Sequence, residues 1–350
     1  MSHHFVNLLR DSLKLKLQKR PWQTDERRAL ELASCHDTNT TLTTKTMPFG
    51  KAKLNDGHEI PTIAFGTGSV NKGHDVTQIS SWALEAGFDH LDTAQFYQTE
   101  ATLGKAIYES GLPRSELYIT SKYGFGDVKE AFQASLNNLK TTYLDLYLIH
   151  NPRSIPPGEI PTVWAHLEAL KDAGLTRSIG VSNFDLTQLQ DLVKLARKHK
   201  PAVNQIQFHP YNYALNKELL AFAAEHGIVV EAYSPLAPIT QYPGGPVDAP
   251  LKAAAERLGV TPTQVLFLWA KAKGVVIVTT SSSKQHMEEY LAVGDLPPLT
   301  EEEVAAIDAA GARGPANAFV KLRRHERVLV LCRILALAYI FWAYFIWRPA

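Results

Sequence analysis

Residues 90–97 are His-Leu-Asp-Thr-Ala-Gln-Phe-Tyr, a short apolar stretch that ends in an acid and a phenol. Three later stretches have the same form: Ile-Thr-Ser-Lys-Tyr (119–123), Tyr-Leu-Ile-His-Asn-Pro (147–152) and Ile-Gly-Val-Ser-Asn-Phe (179–184). In a closed parallel (β/α)8 barrel, the carboxyl ends of all strands converge on one mouth, where the chemistry is built. The four stretches therefore predict a barrel enzyme with an acid, a phenol, an amine and an imidazole at its mouth.

Eight short runs rich in Val, Ile, Leu and Tyr are predicted as strands that are buried on both faces. They cover residues 62–68, 90–94, 117–122, 144–150, 178–182, 203–208, 229–234 and 275–280. Stretches of helical period separate them, at the spacing of βα units. A doubly wound sheet would also fit this period, but Gly66-Thr67-Gly68 matches only the first half of its Gly-x-Gly-x-x-Gly motif. The fold class is therefore α/β, a (β/α)8 TIM barrel.

An N-terminal hairpin is predicted over residues 51–61, before the first barrel strand. Asp56-Gly57 is typical of a two-residue hairpin turn, because glycine accepts the backbone conformation that such turns require.

Composition limits the class of protein. Hydrophobic residues make up 45% of the 350 and charged residues 20%, as in a globular protein with a substantial core. A net charge of +1 argues against a nucleic-acid-binding protein, which normally carries a basic surface. The two cysteines, Cys35 and Cys332, are far apart, so we expect no disulfide framework and a reducing compartment.

Residues 1–46 differ from the rest of the chain. They are basic at first and then polar, without the apolar segment of a secretory signal. We predict a disordered N-terminal extension; an organelle-targeting peptide, or a stretch upstream of a translation start at Met47, are the alternatives. The barrel domain is predicted over 47–311.

The C-terminal region is predicted to hold a basic linker at 312–327 and a transmembrane helix at 328–347. The latter segment carries one charge, Arg333, and has aromatic residues toward one end, as a membrane span does. The alternative is a helix packed on the barrel surface. The basic flank predicts a barrel on the cytosolic face of a membrane, the endoplasmic reticulum being favoured; without the anchor, the location is cytoplasmic.

Asp92, Tyr97, Lys122 and His150 can act together on a carbonyl group. A tyrosine hydroxyl, with an ordinary pKa of about 10, is a poor acid at neutral pH unless its phenolate is stabilised. Lys122 can do this, and Asp92 can keep a buried Lys122 charged. His150 can bind the carbonyl oxygen. The set provides a proton and an oxyanion site, which suits carbonyl reduction, although each residue also has an ordinary structural explanation.

The chain resembles the aldo-keto reductases over about residues 51–311. The matching strings include Leu-Asp-Thr-Ala-x-x-Tyr, Leu-Ile-His, Gly-Val-Ser-Asn-Phe, Asn-Gln-Ile-Gln-Phe-His-Pro (204–210) and Ala-Tyr-Ser-Pro-Leu (232–236). Fungal-type carbonyl and aldehyde reductases look most similar. The resemblance implies that Tyr97 donates the proton, that Lys122 and Asp92 lower its pKa, and that His150 orients the carbonyl. It also implies a reduced nicotinamide dinucleotide as the hydride donor.

The resemblance also implies cofactor-binding residues. Ser182, Asn183 and Gln205 match the positions that bind the carboxamide, Tyr233 the ring that stacks on nicotinamide, and Ser234 and Leu236 the pyrophosphate loop. The remaining positions assigned to the cofactor are Gly66, Thr67, Thr280, Ser281, Ser282, His286 and Glu289.

Two departures from the family pattern affect specificity. Thr280 and His286 stand where many members have a lysine and an arginine that hold the 2′-phosphate of NADPH; NADPH is still favoured, and NADH is possible. Gly68 and Asn151 stand where many relatives have tryptophan, which predicts a more open pocket for a broad range of aldehydes and also ketones.

A cofactor-sensing module with little turnover, similar to potassium-channel β subunits, is the alternative, and the four catalytic residues argue against it. A metal-dependent hydrolase is not supported, because no His, Asp or Glu cluster at the strand ends has ligand spacing. We expect no metal, no nucleic acid partner, and membrane association through 328–347.

Overall fold

The computed structural model describes residues 49–315, which contain ten strands and eleven α-helices. Strands β1 (Lys51–Lys53) and β2 (Glu59–Pro61) pair antiparallel as the predicted hairpin. The connection is one residue longer than predicted, because Leu54 N donates to His58 O and Gly57 N to Leu54 O around Asn55-Asp56-Gly57. This is the pattern of a three-residue hairpin loop rather than of a two-residue turn.

The other eight strands form a closed parallel barrel in the order β10-β3-β4-β5-β6-β7-β8-β9. They are β3 (Ile63–Gly66), β4 (His90–Asp92), β5 (Tyr118–Tyr123), β6 (Leu144–Ile149), β7 (Thr176–Ser182), β8 (Val203–Gln207), β9 (Val229–Tyr233) and β10 (Val276–Thr279). All eight predicted strands are present, and the closed barrel excludes the doubly wound sheet.

The helices alternate with the strands, and two extra helices follow β9. They are α1 (Thr77–Ala86), α2 (Glu100–Ser110), α3 (Val128–Asn138), α4 (Ile160–Asp172), α5 (Leu186–Leu195), α6 (Pro210–Glu225), α7 (Ala237–Thr240), α8 (Asp248–Leu258), α9 (Pro262–Ala272), α10 (Lys284–Ala292) and α11 (Glu301–Ala312). Short 3-10 helices include Ser69–Asn71 after β3 and Gln95–Tyr97 after β4.

The hairpin covers the amino-terminal end of the barrel. Leu54 and Ile60 are buried in one apolar cluster with Tyr118, Leu146 and Val203 of the barrel strands. The carboxyl ends of the strands, where the polar residues of the sequence stand, are thus left for a functional site.

The described residues divide into two compact units. Residues 49–206, 219–233 and 275–296 form the first, which holds the hairpin and nearly all of the barrel. Residues 207–218, 234–274 and 297–315 form the second. Within the second unit, Phe208 stacks on Trp269 at 5.3 Å between ring centroids, and Trp269 Nε1 donates to Asp308 Oδ1 at 2.8 Å.

The prediction of a transmembrane helix in the fold class is wrong for the structure as described. Between residues 49 and 315, no helix is long and apolar enough to cross a bilayer. The longest there, α6, has 16 residues, about 24 Å at 1.5 Å per residue, against about 30 Å of hydrocarbon. The segments 1–46 and 328–347 lie outside the described residues, as does most of the linker 312–327. The fold class is corrected to a (β/α)8 barrel with an N-terminal hairpin.

Candidate active site

Asp92 and Lys122 form a buried ion pair at the carboxyl ends of β4 and β5. Lys122 Nζ lies 2.6 Å from Asp92 Oδ1 and also donates to Thr93 O at 3.0 Å. Their exposed fractions are 0% and 2%, so the pair is shielded from water. Burial alone would lower the pKa of Lys122, but the charge of Asp92 and its hydrogen bond raise it instead. Lys122 is therefore a fixed positive charge.

Tyr97 lies above this pair, in the 3-10 helix that follows β4. The ammonium of Lys122 is 5.1 Å from the centroid of its ring. Burial raises the pKa of Tyr97 above its ordinary value, the charge of Lys122 opposes this, and the charge of Asp92 adds to it. Of the two residues expected to lower the pKa of Tyr97, only Lys122 does so directly; Asp92 acts by keeping Lys122 charged. The phenol holds its proton at neutral pH.

His150, directly after β6, lies beside Tyr97. The ring centroids are 5.2 Å apart and the planes nearly perpendicular, at 84°. Burial lowers the pKa of His150 to about 3, and the charges of Lys122 and Lys72 add to the effect. At neutral pH the imidazole is uncharged, so one ring nitrogen is a donor and the other an acceptor.

The predicted carboxamide-binding residues form a connected hydrogen-bond network. Ser182 Oγ donates to Gln205 O at 2.8 Å, and Asn183 Nδ2 donates to His150 O at 2.9 Å and to Ser182 Oγ at 3.0 Å. Tyr233 OH donates to Asn183 Oδ1 at 2.8 Å. Asn183 has a positive φ of 63°, which costs energy for a residue other than glycine and is common where the surroundings fix a functional group. The structure thus brings Ser182, Asn183, Gln205 and Tyr233 together with His150.

A buried carboxyl group that the sequence did not reveal lies below this network. Gln205 Nε2 donates to Asp92 Oδ2 and to Glu231 Oε2, both at 2.8 Å. Glu231 is fully buried, and its other oxygen is 3.8 Å from His90 Nε2. Burial and the charge of Asp92 raise the pKa of Glu231 to about 8. Alternation within β9 indicates only that Glu231 and Tyr233 share a face; the link to Asp92 depends on the closed barrel.

The phosphate-side residues lie after β10. Thr280 Oγ1 accepts from Asn71 Nδ2 at 3.2 Å, a contact that the sequence did not predict. Ser281 Oγ accepts from Ser283 N at 3.0 Å, and Ser282 is exposed. These hydroxyls precede the amino terminus of α10, and helix amino termini favour phosphate.

The remaining α10 residues assigned to the cofactor contact their own helix. The His286 ring stacks on Tyr290 at 6.3 Å, and Glu289 Oε1 accepts from Gln285 Nε2 at 2.9 Å. Lys284, the nearby lysine, is paired with Glu85 Oε2 at 2.7 Å.

The other four residues assigned to the cofactor lie outside the carboxamide network and the β10 loop. Gly66 pairs in register with Asp92 in the barrel, and the Thr67 hydroxyl is buried against Thr99 Oγ1 at 2.9 Å. The Thr67 hydroxyl is therefore engaged inside the protein, where it connects β3 to the start of α2. Ser234, with a positive φ of 54°, and Leu236, the N-cap of α7, belong to the second unit.

Gly68 lies against the phenol of Tyr97. A Cβ placed on Gly68 would come within 2.8 Å of Tyr97 Cζ and 3.2 Å of its hydroxyl oxygen. A side chain at this position would have to displace Tyr97, so the glycine allows the backbone to pack directly against the phenol. Phe96 provides an aromatic wall instead: its ring is 57% exposed and 6.2 Å from the ring of His150. Phe96 and Lys72 are site residues that sequence analysis missed.

Among residues 49–315, no group of three or more His, Cys, Asp or Glu side chains is placed to hold a metal ion. The chemistry that these residues support is proton transfer from a phenol beside a neutral imidazole.

Comparisons of the sequence and of the structure with known proteins all identify the same family. The sequence pattern of the Aldo/keto reductase family matches residues 62–312. The NAD/NADP-dependent indole-3-acetaldehyde reductase of Schizosaccharomyces pombe is 38% identical over 68% of this chain and 85% of that protein. Glycerol 2-dehydrogenase (NADP(+)) of Hypocrea jecorina is 36% identical over 77% of this chain and 94% of that protein. The crystal structure of an aldo/keto reductase from Brucella melitensis has a TM-score of 0.68 and 33% identity, covering 75% of this chain and 99% of that one.

Proposed function

Because the chain belongs to the aldo/keto reductase family, we propose that it is an NAD(P)H-dependent oxidoreductase that reduces aldehydes, and also ketones, to alcohols. The observation that carries this proposal is the buried Lys122–Asp92 pair below the phenol of Tyr97, with a neutral His150 beside it.

Tyr97 is the proton donor in this proposal. Its raised pKa keeps the phenol protonated at neutral pH, so that a proton is available for the carbonyl oxygen. When the proton leaves, the charge of Lys122 stabilises the phenolate that remains. Asp92 holds Lys122 in place and in its charged form.

His150 positions the substrate. A neutral imidazole can donate a hydrogen bond to the carbonyl oxygen without competing with Tyr97 as an acid. The pKa of about 3 means that the ring stays neutral through the physiological range. The hydrogen bond from Asn183 Nδ2 to His150 O fixes the backbone that carries the ring.

The donor set fits a nicotinamide dinucleotide. The amides and hydroxyls of Ser182, Asn183 and Gln205 suit a carboxamide, and the ring of Tyr233 suits the face of nicotinamide. The hydroxyls of Thr280 and Ser281, before the amino terminus of α10, suit a phosphate. The bound cofactor supplies the hydride that goes to the carbonyl carbon. We place Gly66, Thr67, Ser234 and Leu236 at the same cofactor by family resemblance.

We propose NADPH as the preferred cofactor, with NADH also accepted. One relative is NAD/NADP-dependent by name and another is named for NADP(+). The hydroxyls of the β10 loop support phosphate binding, whereas the pairing of Lys284 with Glu85 leaves less positive charge for a 2′-phosphate than an arginine would provide.

The first experiment measures oxidation of NADPH and NADH by the purified full-length chain with aliphatic, aromatic and sugar aldehydes. We expect turnover with several classes, since Gly68 and Asn151 stand where many relatives have tryptophan. Tyr97→Phe should lower kcat about 10²–10⁴-fold, the usual contribution of one acid–base group, while cofactor binding is retained.

Tyr108→Phe, an exposed tyrosine on α2, is the matched control and should keep full activity. Unchanged turnover in Tyr97→Phe would reject the proton-donor assignment. Cofactor binding without turnover of any aldehyde would favour the sensing module instead.

A further inference from the structure

Lys72 is held at the barrel mouth by the loop that follows β3. Gly73 N donates to Tyr97 O at 2.9 Å, which ties the residue after Lys72 to the backbone of the proton donor. Asn71 Nδ2, on the other side, donates to Thr280 Oγ1 at 3.2 Å. Both neighbours of Lys72 are thus fixed to residues of the site, and these bonds hold the backbone of Lys72 at the barrel mouth.

The ammonium of Lys72 lies over the aromatic wall of the pocket. It is 5.2 Å from the ring centroid of Tyr97 and 5.5 Å from that of Phe96. The same two rings contact His150. Lys72 is therefore within a small molecule's length of both groups that bind the carbonyl oxygen.

Lys72 has no acidic partner, unlike the other lysine of the site, Lys122, and several lysines elsewhere. Lys122, Lys171, Lys273 and Lys284 each pair with a carboxylate at 2.6–2.7 Å. Across residues 49–315, no carboxylate pairs with Lys72, and its side chain is exposed. Its charge is available to an anion that enters the mouth.

The charge of Lys72 also acts on the site itself. It contributes, after burial and Lys122, to the low pKa of His150. The charge of Lys122 is balanced by Asp92, whereas that of Lys72 has no such balance among the described residues. The charge of Lys72 therefore adds positive potential at the position of the substrate, which favours a negatively charged substrate.

We propose that Lys72 binds a carboxylate on the substrate, so that the enzyme reduces carbonyl compounds bearing a carboxylate in preference to their neutral counterparts. This inference rests on the reductase function proposed above. The ammonium and a carboxylate form an ion pair at the mouth while the carbonyl oxygen of the same molecule reaches Tyr97 and His150.

The test compares 4-carboxybenzaldehyde with its neutral methyl ester, methyl 4-formylbenzoate. In Lys72→Met, which keeps an unbranched side chain of nearly the same length but removes its charge, kcat/KM for the carboxylate should fall about fivefold through KM. The value for the ester should stay within about twofold of the wild type. Lys72→Glu should shift the preference further toward the ester. The wild-type preference should shrink as salt is raised, because ions screen an exposed pair.

Lys140→Met is the matched control, because Lys140 also lies over a tyrosine ring, that of Tyr108 at 4.9 Å. It precedes β6, at the barrel end opposite the mouth, and should leave both substrates unchanged. The dissociation constant of NADPH, measured by fluorescence for each variant, should not change. If this constant rises in Lys72→Met by enough to explain the loss of kcat/KM, Lys72 binds the cofactor and the proposal is overturned.

The possible outcomes distinguish a failure of the reductase function from a failure of the proposed role of Lys72. If the wild type reduces neither probe nor any other aldehyde, the reductase function itself fails. If it reduces the ester, but the ratio of the two kcat/KM values is the same in wild type and Lys72→Met, the function stands and the role of Lys72 is rejected.

Discussion

At the scale of single residues, the site depends on contacts between distant positions. Gln205 is 113 residues from Asp92 in the sequence, yet donates to its carboxylate at 2.8 Å. The sequence motifs identified Asp92 and Gln205, each for a separate role. They did not identify Glu231, which shares the amide of Gln205, because a glutamate in a strand has no local signature of burial.

Glu231→Gln tests the protonation of this buried carboxyl. The pKa of Glu231 is raised to about 8 in the folded chain, so the folded state holds a proton that the unfolded state loses above about pH 4.5. Wild-type stability should therefore fall relative to the variant as pH rises from 5 to 8. Thermal unfolding of both proteins across this range measures the difference.

The exposed Glu256→Gln should show no such divergence from the wild type. Parallel curves for wild type and Glu231→Gln would mean that Glu231 is already ionised in the folded protein at pH 5.

At the scale of elements, the sequence predicted strands better than helix starts. The eight barrel strands are short runs rich in buried residues, and their limits agree with the structure to within about two residues. The helical period of the sequence before β9 begins only at Lys217, whereas α6 begins at Pro210, seven residues earlier. Its first half lacks an apolar period, and Leu215 there is 86% exposed. Pro210 at the first helical position, where its missing N–H does no harm, was the available signal.

Gly104→Ala tests the close approach of α2 and α3. A Cβ on Gly104 would lie 2.2 Å from Asn138 O and 2.7 Å from Leu139 Cα, so the two elements would have to separate. We expect a loss of about 1–3 kcal/mol in the free energy of unfolding, although alanine favours a helix by about 1 kcal/mol over glycine. Urea denaturation measures it.

Ala101→Gly, at an exposed position of the same helix, is the control and should cost only about 1 kcal/mol through helix propensity. A Gly104→Ala variant as stable as the wild type would show that the helices tolerate a side chain at this crossing.

At the scale of the whole molecule, buried histidines make the folded state less stable in acid. Burial lowers the pKa of His90 and His209 to about 4 and, with the charges of Lys122 and Lys72, that of His150 to about 3. The folded chain keeps all three neutral in a range where the unfolded chain, with pKa values near 6.5, binds protons. The folded state therefore loses stability as pH falls.

We expect the free energy of unfolding to decrease from pH 7 toward pH 4, by up to about 1.4 kcal/mol per pH unit for each of the three histidines. Urea denaturation at a series of pH values measures the slope. A free energy that stays constant between pH 6.5 and 4.5 would mean that these imidazoles are protonated in the folded protein.

The sequence by itself determined the (β/α)8 barrel, the hairpin and the family, because strand burial, helical period and short motifs are local patterns. It also indicated which residues meet at the mouth, since the carboxyl ends of parallel strands converge. The prediction of a membrane helix as part of the fold class was wrong for the described residues. Only the tertiary structure decided that burial raises the pKa of Tyr97, that Glu231 joins Asp92 through Gln205, and that Lys72 lies unpaired over the pocket wall. These properties depend on solvent exclusion and on distances between residues far apart in the chain, which no local pattern records.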